Sequence, residues 1–334
     1  MRRTELHNPG PITVRDIAER TGVSIGTVSR ALKNQPGVGD ETRHRILQIA
    51  ERMGYNLGNL RPAKLKRISF LHRAHFAPSA NPFYSPVLHG VEEACRQNDL
   101  VLSFGLITLE QPVAELVRRH EADAILCVSY FEPEVLASIQ SSGVPVALID
   151  HFAADLPAVN TDNFDGAYQA TQHLVAQGRR RIAFIAGPEH YSIRERRRAY
   201  RKAMYDAGIA ADPDLDVTRE PAEAVEGTVP AMERLLALPE PPDAIFTFND
   251  DTALAVLRYL REHGIRVPEQ IAVVGYDDIY AARHSHPSLT TVRVDKEELG
   301  RKGVELLLEG GPMHNVIVPN RLVVRKSTTP KGRN

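Results

Sequence analysis

Apolar residues follow two different spacings along the chain. From Val14 to about Met53 they recur every three or four positions, the spacing of one face of an α-helix. After Lys66, short apolar runs alternate with amphipathic stretches that are long enough to be helices. The change predicts a small all-α domain followed by a larger α/β domain.

Three short helices are predicted in the first domain. Thr13 is suited to cap a helix over 14–20, and Gly22 supplies the tight turn after it. Ser24 is suited to cap a second helix, and a third is predicted over about 40–53. The apolar residues on the inner faces of these helices would form one small core.

The outward face of the second helix could contact nucleic acid. Its N-terminal half is predicted to expose small, hydroxylic or cationic residues: Ile25, Gly26, Thr27, Ser29 and Arg30. Hydroxyls and an arginine near a helix N-terminus suit phosphate contacts and base edges in the major groove of DNA, which admits one helix. Three short helices alone also fit an ordinary bundle that binds no nucleic acid.

Charge is distributed unevenly along the chain. Residues 1–67 hold thirteen Lys and Arg against six Asp and Glu, a formal charge of +7, whereas the whole chain carries −1. The remaining residues therefore carry −8, so positive charge is concentrated where a polyanion could bind. Charge alone is also consistent with a solvated surface, but the helical pattern within the segment favours nucleic acid.

The larger domain is predicted to contain two parallel sheets. Seven apolar runs are predicted to be buried strands: 68–71, 101–104, 124–128, 146–149, 182–185, 244–248 and 271–274. Strands that alternate with helices form parallel sheets covered on both faces. Because this segment is too long for one compact core, we expect two similar lobes with a cleft between them.

Polar residues follow several of these predicted strands directly. They are Asp150, the run Asn249-Asp250-Asp251, and the pair Asp277-Asp278. In parallel sheets, ligands bind beyond the carboxyl ends of the strands. These residues are therefore candidates for a ligand site in the cleft.

The charged run 194–198 is a further candidate for the cleft. Five charged residues at a helix start usually form a solvated face. If Ser192 caps that helix and its N-terminus faces the cleft, Arg194 or Arg196 could clamp an anionic or polyhydroxyl ligand. Both interpretations are consistent with the run itself.

Signatures of an enzyme, a cofactor or a metal site are not found. The nucleophile elbow, the phosphate-binding loops and the H-E-x-x-H motif are all missing, so neither catalysis nor a cofactor is expected. His284 and His286 fit surface positions better than a metal site, and Cys95 and Cys127 fit buried reduced thiols. Without a membrane span or a secretory signal, we expect a cytoplasmic protein that does not contact the membrane.

The first domain closely resembles the headpiece of the LacI/GalR family of bacterial repressors. The resemblance covers about residues 12–55, including Thr42-Arg43 and Gly54-Tyr55. It implies that Ile25, Gly26 and Arg30 read bases and that four hydroxyl residues contact phosphates: Thr13, Ser24, Thr27 and Ser29. Because Ile25 and Gly26 offer no polar side-chain hydrogen bond, Arg30 and apolar thymine contacts must do more of the reading.

The resemblance extends through the larger domain to about residue 326. The family's motifs stand here as Asn81-Pro82-Phe83-Tyr84, Asp162-Asn163 with Gly166-Ala167, Arg194-Glu195-Arg196 with Tyr200, Phe248-Asn249-Asp250, and Gly275-Tyr276-Asp277-Asp278. The family's effector domain is related to periplasmic sugar-binding proteins.

The resemblance also implies roles for individual residues in the cleft. Tyr84 would lie at the cleft wall, and Asp150 and Thr161 near the lobe junction. Three residues would make polar contacts to the ligand: Arg196, Asn249 and Asp277. Such side chains suit sugar hydroxyls, which both donate and accept hydrogen bonds. One departure is Ala222, where many relatives have an aromatic platform, so stacking on a sugar ring from that side is not expected.

These observations predict a domain organisation. A headpiece over 1–56 and a linker over 57–67 precede an effector-binding and dimerisation domain over 68–334. We expect its first lobe at about 68–161 and 293–321, and its second at about 162–292 and 322–330. After Lys326 no heptad pattern follows that would build a tetramer, so a homodimer is expected.

They also predict a function. The chain is expected to be a homodimeric, nucleoid-associated repressor of carbohydrate-utilisation genes that binds a pseudo-palindromic operator. A sugar-like effector between the lobes would control its operator affinity. A solute-binding protein would need export and no headpiece, and an enzyme would need a motif that is not found.

The linker departs from the family pattern. Relatives form a short hinge helix there, which inserts a leucine into the minor groove. Here Pro62 falls inside that helix and Lys64 takes the position of the leucine. A shift of one residue would restore the wedge with Leu65, in a helix barely one turn long. We favour an extended basic linker in which Lys64 contacts phosphates.

Overall fold

The structure is a computed structural model. It describes residues 12–32, 37–55, 65–73, 81–107, 121–210, 212–222, 224–310 and 315–329. The chain divides into two compact units, Met1–Lys66 and Arg67–Asn334. Within the described ranges, no helix is both long enough and apolar enough to cross a membrane.

The first unit contains the three predicted helices. They are α1 (Val14–Thr21), α2 (Ile25–Leu32) and α3 (Asp40–Arg52). All three helices contribute to one small core, at whose centre Ile17, Val28 and Ile46, one from each helix, are fully buried. Gly22 ends α1 with a φ of +70°, a left-handed conformation that glycine adopts without strain.

The second unit contains two six-stranded sheets, of which the first is all parallel. Its strands are β1 (Arg67–Arg73), β2 (Val101–Ile107), β3 (Ala124–Val128), β4 (Val146–Ile149), β5 (Ala158–Thr161) and β11 (Asn315–Val318). They lie in the order β11-β5-β4-β3-β1-β2. Within the described residues, the helices of this lobe are α4 (Tyr84–Gln97), α5 (Pro133–Gln140) and α11 (Lys296–Glu309). Every residue of β3 and β4 is buried, as expected of strands covered on both faces.

The second sheet is parallel except at one edge. Its strands are β6 (Ile182–Ala186), β7 (Asp216–Thr218), β8 (Ala244–Thr247), β9 (Ala272–Asp277), β10 (Thr290–Val294) and β12 (Asn320–Val323). They lie in the order β12-β10-β9-β8-β6-β7, with only the β10–β12 pair antiparallel. The α-helices of this lobe in the described part of the chain are α6 (Asn163–Ala176), α7 (Tyr191–Asp206), α8 (Thr228–Leu236), α9 (Asp250–Glu262) and α10 (Tyr280–His284).

The described chain passes between the two lobes at three places, which we call the crossovers. The first, 161–163, joins β5 to α6; the second, 294–296, joins β10 to α11; the third, 318–320, joins β11 to β12. The predicted fold class, a helical headpiece followed by a two-lobed α/β domain, is thus confirmed.

Candidate functional site

The start of α1 is fixed by a capping box. The Thr13 hydroxyl accepts a hydrogen bond from the Asp16 amide at 3.4 Å, and the Thr13 amide donates to the Asp16 carboxylate at 2.7 Å. The hydrogen bonds from Thr13 lower the pKa of Asp16. This places Thr13 at the exposed N-terminus of α1, where a helix favours anions such as phosphate.

The N-terminal half of α2 presents a mixed polar surface. The Ser24 hydroxyl accepts a hydrogen bond from the Thr27 amide at 3.1 Å and lies 2.8 Å from the Thr27 hydroxyl. Ile25 is 47% exposed, and Arg30 is exposed with its Nε donating to the Gly26 carbonyl at 3.2 Å. Gly26 is also exposed, whereas Thr27 and Ser29 are half-buried.

The two linker candidates differ in what the structure describes. Lys64 lies outside the described residues, as does Pro62. Leu65 is described in a non-helical segment, and its side chain is buried.

A cavity of about 180 Å³ lies between the two lobes of the second unit. It is lined by five of the six residues expected to bind an effector: Tyr84, Asp150, Arg196, Asn249 and Asp277. Asp150 directly follows β4, one residue separates Asn249 from the end of β8, and Asp277 is the last residue of β9. The cavity therefore lies at the carboxyl ends of parallel strands, as the topology requires.

Thr161 is the expected effector residue that the structure does not bring to the cavity. It is buried in the first crossover, where its hydroxyl donates to the Val318 carbonyl at 3.2 Å. The same hydroxyl oxygen accepts a hydrogen bond from Asn320 at 3.2 Å. Thr161 therefore connects the first and third crossovers and does not line the ligand cavity.

Arg196 is held rigidly at the wall of the cavity. Its Nε donates to Asn163 Oδ1 at 2.9 Å, and its Nη1 donates to the Phe248 carbonyl. Its guanidinium lies 3.7 Å from the centre of the Tyr276 ring, a cation–π contact. Its Nη1 also lies 3.6 Å from Asp277 Oδ1. The buried guanidinium is therefore fixed in position before any ligand binds.

The other expectations for this helix require a correction. Helix α7 begins at Tyr191 with His190 at the N-cap, and no side chain caps it. Ser192 is not the cap because the extended backbone of the cap lies two residues earlier, but its side chain does line the cavity. Arg194 is exposed and does not line the cavity, whereas Arg196 does.

Two carboxyl groups at strand ends line the cavity, and of these Asp277 is buried and Asp150 is half-buried. Burial raises the pKa of Asp277 to about 7, although Arg196 and Lys296 oppose the shift. Burial also raises the pKa of Asp150, which accepts a hydrogen bond from the Tyr84 hydroxyl at 2.8 Å. Both have positive φ values, +113° for Asp277 and +55° for Asp150, a strained conformation that is common at ligand sites.

Asn249 has a side-chain nitrogen that can face a ligand, whereas the acidic residues Asp250 and Asp278 make structural contacts. The Oδ1 of Asn249 accepts the amide and hydroxyl hydrogen bonds of Thr252 and so caps α9, which leaves its side-chain nitrogen for a ligand. Asp250 is fully buried and binds the Ile279 amide at 2.9 Å, a structural role. Asp278 is likewise structural, because it pairs with Arg293 and Arg325.

The sequence interpretation missed Arg219, a buried cation that also lines the cavity. Its Nη1 donates to the Thr252 hydroxyl at 2.9 Å and its Nε to the Ala222 carbonyl at 2.7 Å. Its guanidinium lies 4.8 Å from the centre of the Phe248 ring. Arg219 follows β7, whose three residues are too few to give a recognisable apolar run.

Two aromatic stacks join the lobes beside the cavity. Tyr130 of the first lobe stacks on His190 of the second at a centroid distance of 4.9 Å. Phe152 of the first lobe stacks on Tyr191 of the second at 5.2 Å. Among the described residues, no cluster of His, Cys, Asp and Glu is arranged to hold a metal ion.

Two family models match the chain. The model described as bacterial regulatory proteins, lacI family, matches residues 13–56, and the periplasmic binding protein-like domain matches residues 171–328. Among curated proteins, the transcriptional repressor PurR of Haemophilus influenzae strain PittEE is 31% identical, over 89% of this chain and 90% of its own. The transcriptional repressor CytR of Escherichia coli K12 is 30% identical, over 95% and 96%.

Solved structures show the same architecture. A complex of the transcriptional regulator CelR with cellobiose has a TM-score of 0.72 at 30% identity, covering 95% of this chain and 99% of its own. A LacI-family regulator from Enterococcus faecium with bound ribose has a TM-score of 0.69 at 26% identity, covering 80% and 100%. The headpiece, the two-lobed domain and these relatives together show that the chain belongs to the LacI family of bacterial regulatory proteins and is a DNA-binding transcriptional regulator.

Proposed function

We propose that the chain is a homodimeric repressor whose operator affinity is controlled by a polyhydroxylated, sugar-like effector in the cleft. The observation that carries the proposal is a cavity whose two arginines already donate to protein acceptors while Asp277 Oδ1 has no hydrogen-bond partner, in a chain that also has a DNA-binding headpiece. The carbohydrate-utilisation genes expected above are part of this proposal.

The two arginines of the cavity already donate to protein acceptors. Arg196 donates to Asn163 and to the Phe248 carbonyl, and Arg219 donates to Thr252 and to the Ala222 carbonyl. By contrast, Asp277 Oδ1 is buried without a hydrogen-bond partner. A buried acceptor without a donor costs free energy, which a ligand hydroxyl can recover.

This balance favours a neutral ligand rich in donors over an anion. Three carboxyl groups line the cavity against two guanidinium groups: Asp150, Asp251 and Asp277 against Arg196 and Arg219. An anion bound here would lie beside these three carboxyl groups, whereas the hydroxyls of a neutral ligand could donate hydrogen bonds to them. The cellobiose bound to CelR and the ribose bound to the Enterococcus faecium protein are ligands of this type.

The DNA contacts are proposed for the exposed face of α2. Arg30 would read bases together with Ile25 and Gly26, and the hydroxyl residues would contact phosphates: Thr13, Ser24, Thr27 and Ser29. A single α2 reads only a few base pairs, so two headpieces related by twofold symmetry would bind the two halves of a pseudo-palindromic operator. A homodimer is therefore part of the proposal.

A thermal-shift screen of the full chain tests the effector site. The library would contain monosaccharides, disaccharides, glycosides, sugar acids and nucleobases. A ligand at one hundred times its Kd stabilises the folded state by about 2.7 kcal/mol. We expect neutral polyhydroxylated compounds to raise the unfolding temperature. Sugar acids or nucleobases as the only hits would contradict the sugar-like assignment.

Operator titrations with each hit then test the control of DNA binding. The operator would be obtained by in vitro selection from random DNA, and its affinity measured by fluorescence anisotropy with and without the hit. Arg196→Lys should lose the response and retain operator binding, because lysine cannot reproduce the guanidinium contacts. Arg194→Ala is the matched control, since Arg194 is exposed on the same helix. An unchanged response in Arg196→Lys would place the effector elsewhere.

A further inference from the structure

We propose that Asn320 is a positioning residue that connects the effector cavity to the crossovers, acting through Tyr276 on Arg196. The inference rests on the proposed effector site and adds a physical route from that site to the hinge between the lobes. It is carried by a network of four side chains: Arg196, Tyr276, Asn163 and Asn320.

Asn320 links two crossovers directly. It ends the third crossover, and its Nδ2 lies 2.6 Å from the Asp162 carbonyl and 3.2 Å from the Thr161 hydroxyl, both in the first crossover. The same Nδ2 lies 3.2 Å from the Tyr276 hydroxyl, at the end of β9. One side-chain amide therefore joins both crossovers to the second sheet.

Tyr276 carries this connection to the cavity. It is fully buried, and its ring stacks beneath the Arg196 guanidinium at 3.7 Å while its hydroxyl faces Asn320. Arg196 also binds Asn163, the first residue of α6, at 2.9 Å. The contacts close a circuit: Arg196 reaches the first crossover through Asn163 and reaches the third through Tyr276 and Asn320.

The side chains of this circuit pack tightly against Gly166 of α6. A Cβ atom on Gly166 would lie 2.5 Å from the Tyr276 hydroxyl and 2.8 Å from Asn320 Nδ2, closer than real Cβ contacts allow. Because the helix backbone fills this space, a displacement of Tyr276 must also displace Asn320 or α6. A shift of Arg196 towards a ligand would therefore be transmitted to the crossovers.

Asn320 does not fit a purely stabilising role. Its Oδ1 is buried without a hydrogen-bond partner, so part of the side chain costs free energy in the folded state. An apolar side chain of similar size would avoid that cost but would lack the two amide hydrogens that Tyr276, Thr161 and the Asp162 carbonyl share. We infer that the amide acts through its donors, which set the angle between the lobes.

The lobe-to-lobe distance tests this without a ligand, so it is independent of the effector's identity. Spin labels would be attached through Glu134→Cys in α5 and Glu233→Cys in α8, both exposed and one in each lobe. Cys95 and Cys127 are buried, and burial raises both thiol pKa values, so they react poorly. Double electron–electron resonance would give the distance distribution, with excess unlabelled chain to dilute contacts between labelled copies.

We expect Asn320→Ala and Tyr276→Phe each to broaden the distribution and shift it to longer distances than the parent shows. The double variant should broaden the distribution by less than the sum of the two single effects, because the two variants share the hydrogen bond between Asn320 and Tyr276. Asn315→Ala, an exposed asparagine at the start of β11, is the matched control and should match the parent. Tyr276→Phe decides the question if Asn320→Ala does not fold, since it removes a single oxygen atom.

Two results would overturn the proposal. One is a parental distance distribution in folded Tyr276→Phe, and the other is a double variant whose broadening is the sum of the single effects. The outcome is distinguishable from failure of the proposed function, which the ligand screen measures separately. If the chain binds no library compound but the variants shift the distances as expected, the hinge network is supported and the effector assignment is contradicted.

Discussion

We expect Arg30 to decide how much sequence information α2 can read. Ile25 and Gly26 beside it make no polar side-chain contacts, whereas a guanidinium can donate two hydrogen bonds to one guanine. Its Nε–Gly26 contact is on the exposed side of the helix and can be exchanged for a base at little cost. Base reading by α2 should therefore depend strongly on this one side chain.

Arg30→Ala should weaken operator binding by about 1–3 kcal/mol and relax specificity at one base position. The measurement is a titration at fixed salt against the operator, single-base variants of it and random DNA. Arg30→Lys is the control, because it keeps the charge and loses the two-pronged geometry. If Arg30→Ala weakened operator and random DNA equally, Arg30 would be a phosphate contact only.

Asp277 should make the free energy of unfolding depend on pH in the opposite direction to an acidic residue whose pKa is lowered on folding. Burial raises its folded-state pKa to about 7, above the ordinary value of 3.8. Between pH 4 and 7 the folded state therefore binds more protons than the unfolded state. The contribution of this group to the free energy of unfolding is complete below about pH 4 and is lost as the pH rises through 7.

Asp277→Asn should remove that contribution. Its free energy of unfolding, minus that of the parent, should increase between pH 4 and 7 and level off above 7, as measured by urea denaturation. Asp295→Asn is a control, because Asp295 is exposed at the cap of α11. A difference that stays constant across this range would show that the Asp277 carboxyl group ionises normally in the folded protein.

At the scale of elements, the first lobe depends on the close approach of α4 and α11. A Cβ atom on Gly300 would lie 2.2 Å from the Val87 carbonyl, and one on Gly90 would lie 2.0 Å from the Glu297 carbonyl. These are backbone contacts, so no side-chain rotation relieves them. Gly303, one turn later on α11, faces the Ile149 side chain, which can move.

Gly300→Ala should therefore destabilise the second unit more than Gly303→Ala. Overpacking of this kind costs about 1–3 kcal/mol, and the backbone clash places Gly300→Ala at or above the upper end. Urea denaturation of both variants and the parent measures the difference. Equal effects would mean that α11 shifts freely on α4 and that the close approach is not needed.

Elements with a strong apolar run could be predicted from the sequence, and short polar ones could not. The predicted bounds for β3 and β4 agree with the structure, because both strands are continuous apolar runs buried on both faces. By contrast, β5 includes Asn160 and Thr161, and β7 has three residues of which only Val217 is buried. Their strand character comes from neighbours in the sheet, which no local pattern reveals.

At the scale of the whole molecule, the candidate site followed from topology more than from local motifs. Asp150 and Asp277 can be predicted from the sequence as ligand-site residues, because each stands at the carboxyl end of an apolar run. Thr161 is also at a strand end, but its strand leads into a crossover, so its hydroxyl faces Val318 and not the cavity. Arg219 cannot be predicted in this way, because the three-residue strand β7 before it gives no recognisable apolar run. Which strand ends meet at the cleft depends on the path of the chain between the sheets.

The linker joins the basic first unit to the acidic second unit. The linker has two candidate forms on DNA, an extended form and a minor-groove wedge. The +7 charge of residues 1–67 includes Lys64, Lys66 and Arg67. In the extended form that we favour, these charges contact phosphates and Leu65 remains off the DNA. In the wedge form, Leu65, which is buried here, must leave its surroundings and enter the minor groove.

We expect Lys64→Ala to flatten the salt dependence of operator affinity by about one unit and Leu65→Ala to leave DNA bending unchanged. Leu65→Ala also removes a buried side chain, which costs about 2–5 kcal/mol of stability, so bending must be measured where the variant is fully folded. Gel phasing assays give the bend, and anisotropy titrations over a range of salt concentrations give the slope. A large bend that disappears in folded Leu65→Ala would refute the extended linker, because only an inserted side chain unstacks a base step.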